Sequence, residues 1–103
     1  MSESVPAPSE STQAADALDT AQELLMRSEA AHAAGEHGDG LALAERANEI
    51  ALRHADPRLA AESYQWIAAH HWRLGHFEPS VVAAREGARR WQAIGGPREC
   101  DTL

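Results

Sequence analysis

From about residue 20 onward, apolar side chains recur at three- and four-residue spacings, the period that puts them on one face of an α-helix. The first such segment, about Thr20 to Ala34, carries Leu24, Met26 and Ala31 and stops at Gly35. Thr20 followed three residues later by Glu23 spells a capping box, so the helix is expected to open there. A second segment, Leu41 to about His54, places Leu41, Ala44, Ala47, Ile50 and Ala51 on one stripe. Between the two lies Gly35-Glu36-His37-Gly38-Asp39-Gly40, rich in helix breakers, with Asp39 a candidate cap for the second helix. Asp56-Pro57 opens the third segment: aspartate is a strong N-cap, and proline suits the first helical position because the missing N–H would have no partner there. That segment bears Tyr64, Ile67, Ala68, His71 and Trp72 and ends near Gly75. The fourth opens around Pro79 and runs through Val81, Ala84, Ala88, Trp91 and Ile94 to Gly95-Gly96.

The pattern repeats. A shift of 40 residues aligns Ala21 with Ala61, Gly35 with Gly75, Ala44 with Ala84, Pro57 with Pro97 and Arg58 with Arg98. Conservative matches join them: Leu24 with Tyr64, Ser28 with Ala68, Gly40 with Ser80, Leu41 with Val81 and Ala47 with Gly87. The matches are mostly small residues and breakers. A helical hairpin needs both, because glycine turns the chain and small side chains let two helices touch.

On these residues the chain resembles the tetratricopeptide repeat family. In the second copy, Ala61 to about Gln92, Tyr64, Ile67 and Ala68 stand where the family has aromatic, leucine and small residues. Gly75 sits at the inter-helix turn, Phe77 in the aromatic slot after it, and Ser80, Ala84 and Gly87 at small or core positions. The first copy, Ala21 to about Leu52, fits less well: Leu24, Ser28, Ala31, Gly35, Gly40, Ala44 and Ala47 match, but Arg27 falls on an apolar slot and His37 on the aromatic one. The period exceeds the family's usual length of about 34 residues.

The resemblance implies an all-α fold of tandem antiparallel helix-turn-helix units, a short right-handed α-solenoid. Two repeats are expected, at about 20–55 and 57–95, within a domain spanning 19–96. An acidic, Ser/Pro-rich tail over 1–18 would be disordered, and 97–103 would be the opening turn of a third repeat or a tail. It also implies a non-catalytic module that holds a peptide or helix in a concave groove built by the first helices. Mapped onto this chain, the groove comprises Leu25, Met26, Glu29 and His32 from the first repeat and Gln65, Ala69, Trp72 and Arg73 from the second. The family's carboxylate clamp is not matched, since Gln65 and Ala69 occupy two of its key positions. Trp91 and Ile94 would form an open flank, because a repeat leaves an apolar side for its neighbour; a homo-oligomer or further repeats of the same chain would cover it. Long-period, Ala/Arg-rich repeats also resemble those preceding output domains in bacterial transcription regulators and diguanylate cyclases. A self-associating N-terminal segment of such a signalling protein is the alternative reading.

Composition narrows the partners. The net charge is −7, and all nine cations are arginine, a balance opposed to nucleic-acid binding. One cysteine, Cys100, leaves no intramolecular disulfide, and the N-terminus lacks the cationic and apolar regions of a signal peptide, so a cytoplasmic protein without membrane association is expected. Among six histidines, His70, His71 and His76 lie close in sequence, but adjacent helical residues point about 100° apart and no zinc-type spacing occurs. His71 is expected to pack in the core. No nucleophile–base pair or phosphate-cradling loop is legible, so no catalytic, cofactor or metal residues are assigned. Glu86 is placed to pair with Arg89 and Arg90 along its helix.

Overall fold

The computed structural model describes residues 10–95 and contains four helices: α1 (Glu10–Ala34), α2 (His37–Arg53), α3 (Pro57–Arg73) and α4 (Phe77–Ile94). The expected opening turn of a third repeat, 97–103, lies outside the described residues, as does 1–9 of the expected tail.

Helix α1 starts well ahead of the expected capping box. Thr20 is an interior residue whose hydroxyl donates to the Asp16 carbonyl one turn back. The stretch before it is rich in strong helix formers, Gln13, Ala14, Ala15 and Ala17, and Leu18 packs against the core. Propagating a helix already anchored by packing costs less than ending it, so the cap signal goes unused. Helix α2 likewise begins before its expected cap. Its N-cap is Glu36, without a side-chain capping bond, and Asp39 falls in the first turn, where its charge opposes the helix dipole. Helix α3 follows the sequence signal: Asp56 Oδ1 accepts from the Leu59 amide at 2.9 Å, with Pro57 next in line. In α4 the start moves from Pro79 back to Phe77, and Pro79 sits in the first turn, where a missing N–H leaves no bond unmade.

The helix ends repeat with the 40-residue period. At Gly35 and Gly75 the chain turns through positive φ, +79° and +84°. The amide that follows bonds back across six residues, Glu36 to Ala31 at 2.8 Å and His76 to His71 at 2.8 Å. These are Schellman turns, which satisfy orphan carbonyls through one left-handed residue. The end of α2 makes the same turn with Ala55 at φ 55°, and its counterpart at the end of α4 is Gly95 at φ 86°.

Consecutive helices pack on one another, and α1 also touches α3, whereas among the described residues α4 packs on α3 alone. Without contact between α1 and α4 the helices form an open array, not a closed bundle. The core is made of small side chains, Ala21, Ala44, Ala47, Ala51, Ala60 and Ala68, filled out by Leu24, Leu25, Leu59 and Ile67. Such residues allow close approach: a Cβ on Gly87 would stand 3.2 Å from that of Tyr64. Buried hydroxyls tie each hairpin at equivalent points. Ser28 on α1 donates to the Gly40 carbonyl of α2 at 2.8 Å, and Ser80 on α4 donates to the Ala68 carbonyl of α3 at 2.9 Å. Forty residues on, the hydroxyl has moved to the facing helix while the contact stays in place.

The stripe read on α2 is inside, with Ala44, Ala47 and Ala51 buried and Leu41 and Ile50 packed against the core. On α4 it is not. There the buried face is Ser80, Ala83 and Gly87, while Val81, Ala84, Ala88 and Ile94 are exposed.

Candidate interaction site and histidine cluster

Helices α1 and α3 lie side by side, so the residues expected to line a groove come from neighbouring elements. Met26, 61% exposed, and Glu29 face outward on α1, as do Gln65 and Arg73 on α3; Ala69 and His32 are half-buried. Leu25 departs from the expectation. It is only 4% exposed and belongs to the core with Leu24, because two adjacent leucines are both needed to fill the space beside so many alanines.

Trp72 is 58% exposed and stacks edge-to-face on Phe77 across the α3–α4 turn, with ring centroids 4.8 Å apart. His32 and His37 make the same pair across the α1–α2 turn at 4.9 Å. The repeat therefore assigns Trp72 to the side of the hairpin on which the next helix would lie. From Phe77 that side continues at helical spacing through Val81, Ala84 and Ala88, all exposed, to half-buried Trp91. Each has a counterpart 40 residues earlier that is buried or half-buried. Ala44 and Ala51 have no accessible surface. Asn48 donates to Ser63 of α3 at 2.9 Å, and His32 and His37 lie against His70 of α3, at 5.3 and 5.4 Å between centroids. The Trp91 indole nitrogen is enclosed and has no hydrogen-bond partner among the described residues, and Ile94 is exposed beyond it.

The histidine expected in the core is not the one found there. His71 is half-buried and turns to the surface, where its Nδ1 meets that of His76 at 3.1 Å. Its neighbour His70 is fully buried. A step of one residue rotates a helical side chain by about 100°, enough to exchange core for rim. Three elements enclose His70. From α1, Ser28 Oγ lies 2.9 Å from its Nε2; from α2, His37 Nδ1 lies 3.2 Å from its Nδ1. His32 and the half-buried Trp66 of α3 pack against the ring at 5.3 and 6.2 Å. Gly40, expected as a turn breaker, lies inside α2, where a Cβ would fall 2.2 Å from His70 Cε1. The imidazole fills the space that a side chain on α2 would need.

The Ser28 hydroxyl has one proton, and the Gly40 carbonyl can only accept it. Ser28 Oγ therefore accepts from His70 Nε2–H, leaving the Nδ1 of neutral His70 to accept from His37 Nδ1–H. Burial, then the nearby His32, hold both imidazoles below their ordinary value of 6.5; Arg73 adds to the effect at His37, and His37 and His71 at His70, where the Ser28 contact opposes it.

On α4, Glu86 accepts from Arg89 at 2.6 Å and from Arg90 at 2.8 Å, as its spacing predicts, and the Arg89 contact leads in lowering its pKa. Arg90 also lies over the Tyr64 ring, 5.4 Å from its centroid, tying α4 to α3. Among the described residues no three His, Cys, Asp or Glu side chains are grouped to hold a metal ion, and no helix is long and apolar enough to cross a membrane. No protein-family model, curated protein or solved structure matches this chain.

Proposed function

We propose that this chain is a non-catalytic interaction module of the tetratricopeptide type, whose principal docking surface is the outer face of its second hairpin. Trp72, Phe77, Val81, Ala84, Ala88 and Trp91 take a helix placed on them as α3 lies on the first hairpin. One observation carries this reading: of the equivalent positions on the first hairpin, His32, His37 and Asn48 already meet α3, Ala44 and Ala51 are buried, and Leu41 packs against the core. The side chains on the open face are small at the middle and aromatic at the ends, so a helix can approach closely and be anchored at both. A second copy of the chain, or a further helical segment of a larger signalling protein, is an occupant of the right shape.

Exposed Met26, Glu29, Gln65 and Arg73 on the adjacent α1 and α3 favour a second reading, a peptide in the concave groove. Substitutions separate the two. Ala84→Glu places a charge in the middle of the α4 face, and Met26→Glu does the same in the groove. Sedimentation and affinity capture from the native host should show assembly or partner lost in Ala84→Glu and kept in Met26→Glu. The reverse pattern selects the groove. A chain that stays monomeric and captures nothing in any form overturns the interaction reading itself.

A further inference from the structure

The buried histidine network contains a proton-counting constraint that the docking surface does not use. We propose that Ser28, His37 and His70, with His32 packed on both rings, form an acid-released latch that fastens α3 to the α1–α2 corner at neutral pH and opens when His70 takes a proton.

The chain of donors has one direction. His37 Nδ1–H donates to His70 Nδ1, His70 Nε2–H to Ser28 Oγ, and Ser28 Oγ–H to the Gly40 carbonyl. A first proton can settle on His37 Nε2 without disturbing any of these bonds. A second has only His70 Nδ1 to occupy, and there it would set two N–H groups against each other across 3.2 Å. The pair holds one added charge and must part to hold two. None of the titratable groups that shift the two rings is a carboxylate. The titratable groups acting on the two rings are His32 from α1, the two rings themselves from α2 and α3, and His71 and Arg73 from α3, every one cationic when charged. His70 is also sealed from water, so its imidazolium finds solvent only if the ring leaves its place beside Gly40.

The sign follows from the lowered folded-state values. The unfolded chain binds protons at about 6.5, above the folded values, so the stabilisation is complete above that pH and is lost as pH falls below it. The second hairpin has no such device, because Trp72 and Phe77 stand where the first has His32 and His37. Acid therefore acts on the joint between the hairpins rather than on both hairpins alike.

Thermal melts between pH 7.5 and 5.0 test the latch on the full chain. The melting temperature of the unsubstituted protein should fall by about 5 °C or more on acidification. His70→Gln, which keeps a donor for Ser28 and removes the titrating ring, should abolish most of that fall. His76→Gln, which breaks only the surface pair with His71, should leave it intact. Should His70→Gln not fold, nitrogen-15 NMR of the unsubstituted protein decides, with neutral His70 carrying its proton on Nε2 and His37 on Nδ1. A melting temperature that does not move with pH, a fall unchanged in His70→Gln or removed in His76→Gln, or the opposite tautomer at His70 overturns the proposal.

Discussion

Gly40 has no side chain, and His70 stands where one would be. Within α2 an alanine would ordinarily favour the helix by about 1 kcal/mol over glycine. Here its methyl would strike a buried ring held by Ser28 and His37, and overpacking costs about 1–3 kcal/mol. Gly40→Ala should therefore destabilise the protein by up to about 2 kcal/mol in urea denaturation, against the propensity scale. Adding His70→Ala should reduce that cost, because the clash has lost its second partner. A Gly40→Ala protein at least as stable as the original would mean that the ring moves aside freely. Neither half of this contact announces itself locally. Gly40 reads as a turn residue beside Gly35 and Gly38, and His70 is indistinguishable from His71 until the phase of α3 against α1 is known.

Helices α1, α2 and α3 end in Schellman turns, and one of these is built from a residue poorly suited to it. Ala55 adopts φ 55°, where Gly35, Gly75 and Gly95 stand at equivalent places. Left-handed backbone costs an alanine about 1–2 kcal/mol, and glycine gives back about half of that through its freer unfolded chain. Ala55→Gly should thus raise stability by about 0.5–1 kcal/mol, read as a higher denaturation midpoint at unchanged slope. A lower midpoint would show that the turn relaxes in solution. At this scale much was legible in advance. Gly35 and Gly75 mark helix ends, and Asp56-Pro57 marks a start, because these signals act within one turn of the chain. The starts of α1, α2 and α4 were not, since each helix extends past its marker.

Across the whole molecule the helices are unequally supported. Among the described residues α3 is packed by α1, α2 and α4, whereas α4 has α3 alone, and α1 buries none of its described side chains before Ala21. Local opening free energy follows such coverage. Amide exchange at neutral pH should be slowest in α3 and the facing part of α2, and fastest in α4 and the start of α1. If a second copy covers the α4 face, protection of α4 should rise with protein concentration while that of α1 does not. Equal protection of α3 and α4 in a dilute, monomeric sample would mean that the open face is not open. Among the described residues that face of α4 has no helix on it. A hairpin that receives a neighbour on one side presents the same kind of side to the next.

By itself the sequence determined that the chain is helical, where three of its turns fall, and that it repeats every 40 residues. These properties follow from propensity, caps and spacing, which operate between residues a few positions apart. Only the tertiary structure decided which apolar stripe is covered, that Leu25 is core and Trp72 surface, and that three histidines from three helices meet, one of them over a glycine. Those outcomes join residues as far apart as His37 and His70, separated by 33 positions, and depend on helix rotation to within one residue. A pattern of small side chains permits several such rotations; packing at the contacts selects one.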